Sequence, residues 1–357
     1  MKKLLIISKE QFGYHTDIFK WCEYLRDEYD VKVITFGGKP KVKLDGIKNH
    51  YVPSKGPKSI RGLLFVLTCL WYILSYKGII MVCYFKGCHI FKKCFPRKKM
   101  LLDIRTLSVA GNKKQRLKKD LILKATTDLY DFTTIISDGL RKKLSLDEKK
   151  SAILPLGADQ VSTFEKKFDS IRMVYIGTLF NRNIHKTIKG LEIALKSNKS
   201  LNIHYDIIGD SHGNELNELK KLVKEYNLEE YITLHGYIQH SKLKSFFDNC
   251  NVGVSFVPIT DYYEFQPVTK TFEYVLSGLY TIATGTYCNK EIITEKNGII
   301  IEDTPEAFAE SIINIYNKRN SINCKDISKT LIDYLWVNIV KNQMKDILNN
   351  YKTMHKL

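Results

Sequence analysis

The chain has 357 residues, with 56 Lys and Arg against 38 Asp and Glu and a formal net charge of +18. Hydrophobic content of 44% and charged content of 26% are ordinary for a globular protein, and with no Pro/Gly/Ser-rich or repetitive tract they exclude a disordered chain and a solenoid. The length exceeds what one hydrophobic core usually serves, so two domains are expected.

Lys2-Lys-Leu-Leu-Ile-Ile-Ser8 reads as a first strand, too short and without the cleavage pattern of a signal peptide. A polar loop from Lys9 to Thr16 follows. Gly13 leaves room there for a ligand, and His15 is either a cleft-facing contact or a solvated loop histidine. Asp17 is expected to N-cap an amphipathic helix running to Leu25, with the second strand over 31–36. This strand–helix–strand start predicts a Rossmann-like parallel sheet. No Gly-x-Gly-x-x-Gly follows the first strand, which argues against a dinucleotide cofactor in this half.

Residues 63–74 are apolar almost all round, interrupted by Thr68, and fall short of the roughly 20 residues a bilayer span needs. A buried crossover helix is the favoured reading. The other is an interfacial helix with Trp71 and Tyr72 at headgroup level. Further strands are expected over 79–85, 100–104 and 133–137. Asp103 and Arg105 stand at a strand end, where Arg105 is a candidate ligand contact or the partner of Asp103 in a surface salt bridge. Lys86, Lys92, Lys93, Arg97, Lys98, Lys99, Lys113, Lys114, Arg116, Lys118 and Lys119 face Asp103 and Asp120 alone, a patch suited to a polyanion. Membrane headgroups are preferred over nucleic acid, for which no motif is present. The eight cysteines suggest free thiols in a cytoplasmic protein. The Cys83, Cys88, His89, Cys94 group lacks the close Cys pairs of a zinc site, and no metal is expected. Pro155-Leu-Gly157-Ala-Asp159 with the polar stretch 160–170 reads as a linker between a first domain, 1–160, and a second, 161–330. A final helix over 331–357 carries Val337, Val340, Met344 and Ile347 on one face.

The most telling stretch is Gln266-Pro-Val-Thr-Lys-Thr-Phe-Glu-Tyr-Val-Leu-Ser-Gly278. Pro267 is expected to open a helix and Gly278 to close it. The N–H groups at Val268, Thr269 and Lys270 then lack intrahelical partners and suit a phosphate; Lys270 adds a full charge. Glu273 follows at i,i+3, where a carboxylate accepts from two vicinal hydroxyls. A cation for diphosphate beside a carboxylate for ribose describes a nucleotide-sugar site; the bland alternative is an exposed ion pair.

This helix resembles the donor-binding helix of the GT-B glycosyltransferases, in particular the retaining family 4 (glycosyl transferases group 1) enzymes. Met173-Val-Tyr-Ile-Gly177-Thr-Leu-Phe-Asn-Arg182-Asn resembles that family's glycine turn with its basic residue. Tyr205-Asp-Ile-Ile-Gly209-Asp, Ile232-Thr-Leu-His-Gly236-Tyr-Ile and Glu291-Ile-Ile-Thr-Glu-Lys-Asn-Gly298 stand in the family's order. The resemblance covers about 170–315. It implies an α/β GT-B architecture, two Rossmann-like parallel-sheet domains across a cleft, with the final helix crossing back to the first. It implies donor contacts from Gly177, Arg182, Gly236, Tyr237, Ile238, Val268, Thr269, Lys270 and Glu273, and from Arg105 of the first domain, where His15 is a candidate acceptor or donor contact. One departure is that the family's earlier glutamate falls on Phe265, with Glu264 beside it, or backbone N–H groups near Gln266, as candidate substitutes.

No Asp-x-Asp is present to hold a metal diphosphate. Arg182, Lys270 and the helix N-terminus are therefore expected to meet the leaving charge. The resemblance implies a metal-independent, retaining hexosyltransferase with a UDP- or GDP-linked donor and no cofactor. It also implies a saccharide or lipid-linked acceptor in bacterial surface polysaccharide synthesis, and a cytoplasmic protein peripheral on the inner membrane face. The alternative is a catalytically silent GT-B scaffold or acceptor-binding partner.

Overall fold

The computed structural model describes residues 1–37, 42–53, 56–108 and 112–356. It divides into two compact units, one formed by Met1–Leu156 and Trp336–Leu357, the other by Gly157–Leu335.

Unit 1 runs β1 (Lys2–Ser8), α1 (Thr16–Leu25), β2 (Tyr29–Phe36), β3 (Lys48–Val52), α2 (Lys58–Ser75), β4 (Ile79–Cys83), α3 (His89–Cys94), β5 (Leu101–Ile104), α4 (Lys113–Thr127), β6 (Phe132–Ile135), α5 (Asp138–Lys143) and β7 (Ser151–Ile153). The strands form a parallel sheet in the order β3-β2-β1-β4-β5-β6-β7. Leu4 to Ile7 and Ile79 to Val82 are buried throughout, which is why these strands read as unbroken apolar runs: helices cover the sheet on both faces. β3 escapes a sequence reading because Lys-Asn-His-Tyr-Val is a half-exposed edge strand with little apolar signal.

Three expectations are corrected. The N-cap of α1 is His15, not Asp17; Asp17 lies in the first turn and its carboxylate is turned to Arg105, 3.2 Å away. α2 is not a buried crossover helix. Phe65, Cys69 and Ile73 face the sheet, but Ile60, Leu63, Leu64, Leu67, Trp71 and Leu74 point outward, between 46% and 65% exposed. Lys92 leaves the basic patch: it is buried, donating to the carbonyls of Pro96 and Lys98 and to Asp131 at 2.9 Å, and Asp131 also pairs with Lys99.

Unit 2 runs β8 (Ile171–Ile176), α6 (His185–Ser197), β9 (Ile203–Ile208), α7 (Glu215–Glu225), β10 (Ile232–Gly236), α8 (Lys244–Asn249), β11 (Val252–Ser255), α9 (Thr269–Leu276), β12 (Tyr280–Thr284), α10 (Tyr287–Ile292), β13 (Gly298–Ile301), α11 (Pro305–Lys318) and α12 (Cys324–Lys329). Its parallel sheet has the order β10-β9-β8-β11-β12-β13. The strand order reverses between β1 and β4 in the first sheet and between β8 and β11 in the second. Such switch points leave a crevice at the carboxyl ends of the strands.

The polar stretch 160–170 is not a free connector. Val161 and Ser162 donate their N–H groups to Ser277 Oγ at 3.1 and 3.2 Å. Buried Lys166 donates to Ser162 Oγ and the Phe247 and Asp248 carbonyls, and burial pulls its ammonium down to about 8. Between that value and the ordinary lysine range the unfolded chain binds the extra proton, so stability rises with pH there. The melting temperature of the protein is expected to gain a rising component between about pH 8 and 10 that Lys166→Met removes, read by thermal scans across that range.

After unit 2 the chain returns through α13 (Trp336–Asn338) and a π-helical segment (Ile339–Met344), both packed on α1, and α14 (Lys345–His355), whose Tyr351 packs on Phe132. The buried stripe is Trp336, Ile339, Val340, Met344, Leu348 and Tyr351, displaced from the expected Val337 and Ile347. The wider π turn shifts the stripe against a 3.6-residue count.

Candidate active site

In unit 2 the site is built on α9. Gly253 of β11 makes the packing possible: a Cβ there would lie 2.4 Å from the Tyr274 ring, so Tyr274 seats directly on the strand. Its hydroxyl accepts the Ile176 N–H at 2.8 Å, tying α9 to the end of β8. Thr271 shares a 2.6 Å hydrogen bond with Ser255 and donates to Asn289. The helix is closed by Gly278 at φ +78°, with Leu279 N–H bonded to the Tyr274 carbonyl and Gly278 N–H to that of Val275, which satisfies the last-turn acceptors. At the other end Pro267 precedes an extended N-cap, Val268, so the helix begins two residues after the proline, and no side chain caps it. The Thr271 N–H is taken by the Val268 carbonyl at 3.0 Å, which leaves the N–H groups of Val268, Thr269 and Lys270 to an anion.

Lys270 and Glu273 form an ion pair, with the Glu273 side chain 9% and the Lys270 side chain 22% exposed. The pair is therefore largely withdrawn from water, unlike an ordinary surface i,i+3 pair. Arg182 lies in the loop after β8 between Asn181 and Asn183, both in the left-handed region at φ +54° and +55°. Its guanidinium stacks 4.3 Å from the Tyr263 ring centre, which joins the loops following the two switch-point strands. Burial pushes the Tyr263 phenol up, against the pull of Arg182. The neighbouring cation Lys186 donates to the Asp303 carbonyl, 2.6 Å away.

Gly177 N–H bonds to the Ile208 carbonyl, and Gly209 N–H to that of Gly236 at 2.9 Å. A Cβ on Gly209 would stand 1.9 Å from the Gly177 carbonyl oxygen, so that glycine is a requirement of strand-end approach. Gly236, at φ +67°, turns the chain so that Tyr237 is 75% exposed while Ile238 packs against the core cluster. Glu264 accepts the N–H of Tyr287, the first residue of α10, at 2.9 Å, while Phe265 rests on the Tyr287 ring. Sequence reasoning missed Tyr263 and Thr260, and named Gln266 for its backbone and not for its side chain. Thr260 Oγ1 and Gln266 Nε2 are buried without a hydrogen-bond partner, in the loop leading to α9. The signal was an aromatic and polar run directly ahead of a helix N-terminus.

Unit 1 has a cavity of about 160 Å³ at the ends of β1 and β4, lined by His15, Asp17, Trp21, Asp103 and Arg105 among others. Arg105 Nε lies 3.1 Å from Asp103 and 3.2 Å from Asp17, Nη1 donates to the Leu154 carbonyl at 2.7 Å, and the guanidinium covers Trp21. Nη2 is buried and unpaired. Asp103 is itself buried and accepts from Thr134, so this is an internal ion cluster and not a surface pair; burial pushes its carboxyl up, opposed by Arg105. His15 is exposed, edge-on to Tyr14.

Residues 161–330 match the family described as glycosyl transferases group 1. No curated protein matches the sequence significantly. Among solved structures, sucrose-phosphate synthase from Thermosynechococcus elongatus has 18% identity and a TM-score of 0.76, with 99% of this chain and 100% of that one covered. HepE from Anabaena in complex with UDP has 12% identity and a TM-score of 0.74, with 98% and 100% covered. The lipopolysaccharide outer core galactosyltransferase WaaB has 16% identity and a TM-score of 0.71, with 98% and 99% covered. At these identities the likeness is one of fold. The chain has the GT-B architecture, and the glycosyl transferases group 1 segment is the unit that contains α9, Lys270, Glu273 and Arg182.

Proposed function

We propose that the chain is a glycosyltransferase that moves a sugar from a UDP- or GDP-linked donor to a saccharide acceptor. The observation that carries this reading is the withdrawn Lys270–Glu273 pair at the uncapped N-terminus of α9. Lys270 and the Val268 and Thr269 amides meet the diphosphate, Glu273 takes the ribose hydroxyls, and the exposed Tyr237 with the Gly236 turn lies beside the base. Arg182, held by Tyr263, adds a second cation. Charge accumulating on the departing diphosphate is met in this proposal by Arg182, Lys270 and the helix N-terminus, preorganised at the bond that breaks. The reaction is proposed to retain anomeric configuration, the leaving phosphate taking the acceptor's proton, with no cofactor beyond the donor. His15 and Arg105 Nη2 are proposed as the substrate contacts of unit 1. HepE has been solved with UDP and with UDP-glucose, which supports a nucleotide-sugar donor here. The acceptor is proposed to be lipid-linked and the protein peripheral on a membrane, in bacterial surface polysaccharide synthesis. The basic charge of unit 1 supports that assignment.

Calorimetric titration with UDP, GDP and their sugar conjugates tests the reading. One nucleotide is expected to bind, and Arg182→Ala to weaken it about 10-fold, the scale of one charge-assisted contact. A folded protein that binds none of them would be a silent scaffold.

A further inference from the structure

On unit 1, away from the strand ends just described, lies a cavity of about 540 Å³. It opens at the opposite, N-terminal ends of β1, β4 and β5. Lys2, Lys3 and Lys77 line it with the turn Arg97, Lys98, Lys99 and with Lys352 of α14; among the described residues no carboxylate does. Gly78 brings the chain leaving α2 against β1, where a Cβ would lie 2.6 Å from the Lys3 carbonyl oxygen. Lys98 donates to the Tyr76 carbonyl at 2.7 Å, which fixes the cavity to the end of α2. The nearby Asp131 is taken by Lys92 and Lys99. A basin of cations this size, without internal counter-charge, suits several phosphate groups.

The cavity abuts a second feature. α2 is about 27 Å long and presents Ile60, Leu63, Leu64, Leu67, Trp71 and Leu74 to the outside. Its other side is packed on the sheet, so it cannot cross a bilayer without uncovering Phe65, Cys69 and Ile73. The crossovers β3→β4, β4→β5 and β5→β6 all step the same way along the sheet, so right-handed connections place α2, α3 and α4 on one face. α4 also turns apolar side chains outward, Leu117 at 57% and Leu121 at 70% exposed, among the exposed Lys113, Lys114 and Lys118. An apolar band with an aromatic, bordered by lysines, is the pattern of an element lying in a membrane interface.

We propose that unit 1 docks on an anionic lipid surface, with the outward side chains of α2 and α4 in the acyl boundary and lipid phosphates in the cation-lined cavity. This names the surface for the membrane association proposed above, and it rests on that reading. It places a lipid-linked acceptor at the same surface as the protein.

The full chain is sedimented with phosphatidylcholine vesicles with and without phosphatidylglycerol. Binding is expected to the anionic vesicles. It should fall about 100-fold in Lys3→Glu/Lys77→Glu/Arg97→Glu, from roughly fivefold per basic residue, and comparably in Leu67→Glu/Trp71→Glu. All five side chains are exposed, and circular dichroism checks that both variants fold. Nucleotide titration of both variants is expected to match wild type, which separates a failure here from a failure of the donor site. Equal sedimentation with both vesicle types, or indifference to either variant, overturns the proposal. Binding of inorganic phosphate in the cavity without vesicle sedimentation also overturns it, in favour of a soluble phosphate site.

Discussion

Lys270→Ala is expected to lower kcat/KM for the nucleotide-sugar donor about 10²- to 10³-fold, the usual consequence of deleting one preorganised group that meets transition-state charge. The loss should fall mainly on kcat, because negative charge on the diphosphate grows as the sugar bond breaks. Glu273 complicates the single substitution. Its carboxylate is buried beside Lys270, so removing the ammonium leaves an uncompensated buried charge. The double variant Lys270→Ala/Glu273→Gln controls for this: it should recover thermal stability without recovering rate. Glu273→Gln alone keeps the shape and one acceptor, and is expected to weaken nucleotide binding about 10-fold while leaving kcat closer to wild type. Steady-state kinetics with calorimetry on the four proteins reads the pattern. A Lys270→Ala enzyme as fast as wild type would remove α9 from the chemistry.

Gly253→Ala is expected to damage stability and donor binding together. The new methyl would meet three Tyr274 atoms at 2.4 to 2.7 Å. Tyr274 is fully buried and is held at its other end by the Ile176 N–H, so the ring has nowhere to retreat without moving α9. Overpacking of this kind costs about 1–3 kcal/mol, and more where the neighbour is pinned. For a unit of this size about 3 kcal/mol lowers Tm by roughly 6–12 °C. α9 carries Lys270 and Glu273 with it, so nucleotide affinity is expected to fall even well below the melting transition. Calorimetric scans and nucleotide titration of the same sample test both halves. An unchanged Tm would mean that the β11–α9 contact is less rigid than its geometry.

The parallel sheets were legible because buried parallel strands need unbroken apolar runs, and 4–7, 79–82 and 173–176 supply them. The end of α9 was legible at Gly278, where a left-handed residue with the Schellman hydrogen bonds leaves a plain sequence mark. Its start was less so, because Pro267 fits two positions near a helix N-terminus and the extended Val268 is decided by packing. Lys270 and Glu273 were visible as a spacing, but not the burial that sets them apart from a surface pair. That burial comes from Tyr274, Thr271 and Gly253, contacts between segments distant in sequence. The position of Arg182 over Tyr263 was hidden for the same reason, since 81 positions separate them. α2 misled because composition records how apolar a helix is and not which side has a neighbour. Lys92 was miscounted because its partner Asp131 lies 39 positions away, in the turn ahead of β6.

The π-helical return segment bears on how the protein is made. Unit 2 is one continuous stretch, Gly157–Leu335, whereas unit 1 is split around it. On a ribosome the second unit has every residue of its core before the first has the stripe from Trp336 to Tyr351, which packs on α1 and Phe132. β1 to β7 must therefore wait, with that side of the sheet layer open, through the synthesis of some 180 further residues. The later-synthesised unit is thus the first that can close, and the nascent chain passes through a stage in which the unit carrying α9 is complete and the unit carrying α2 is not.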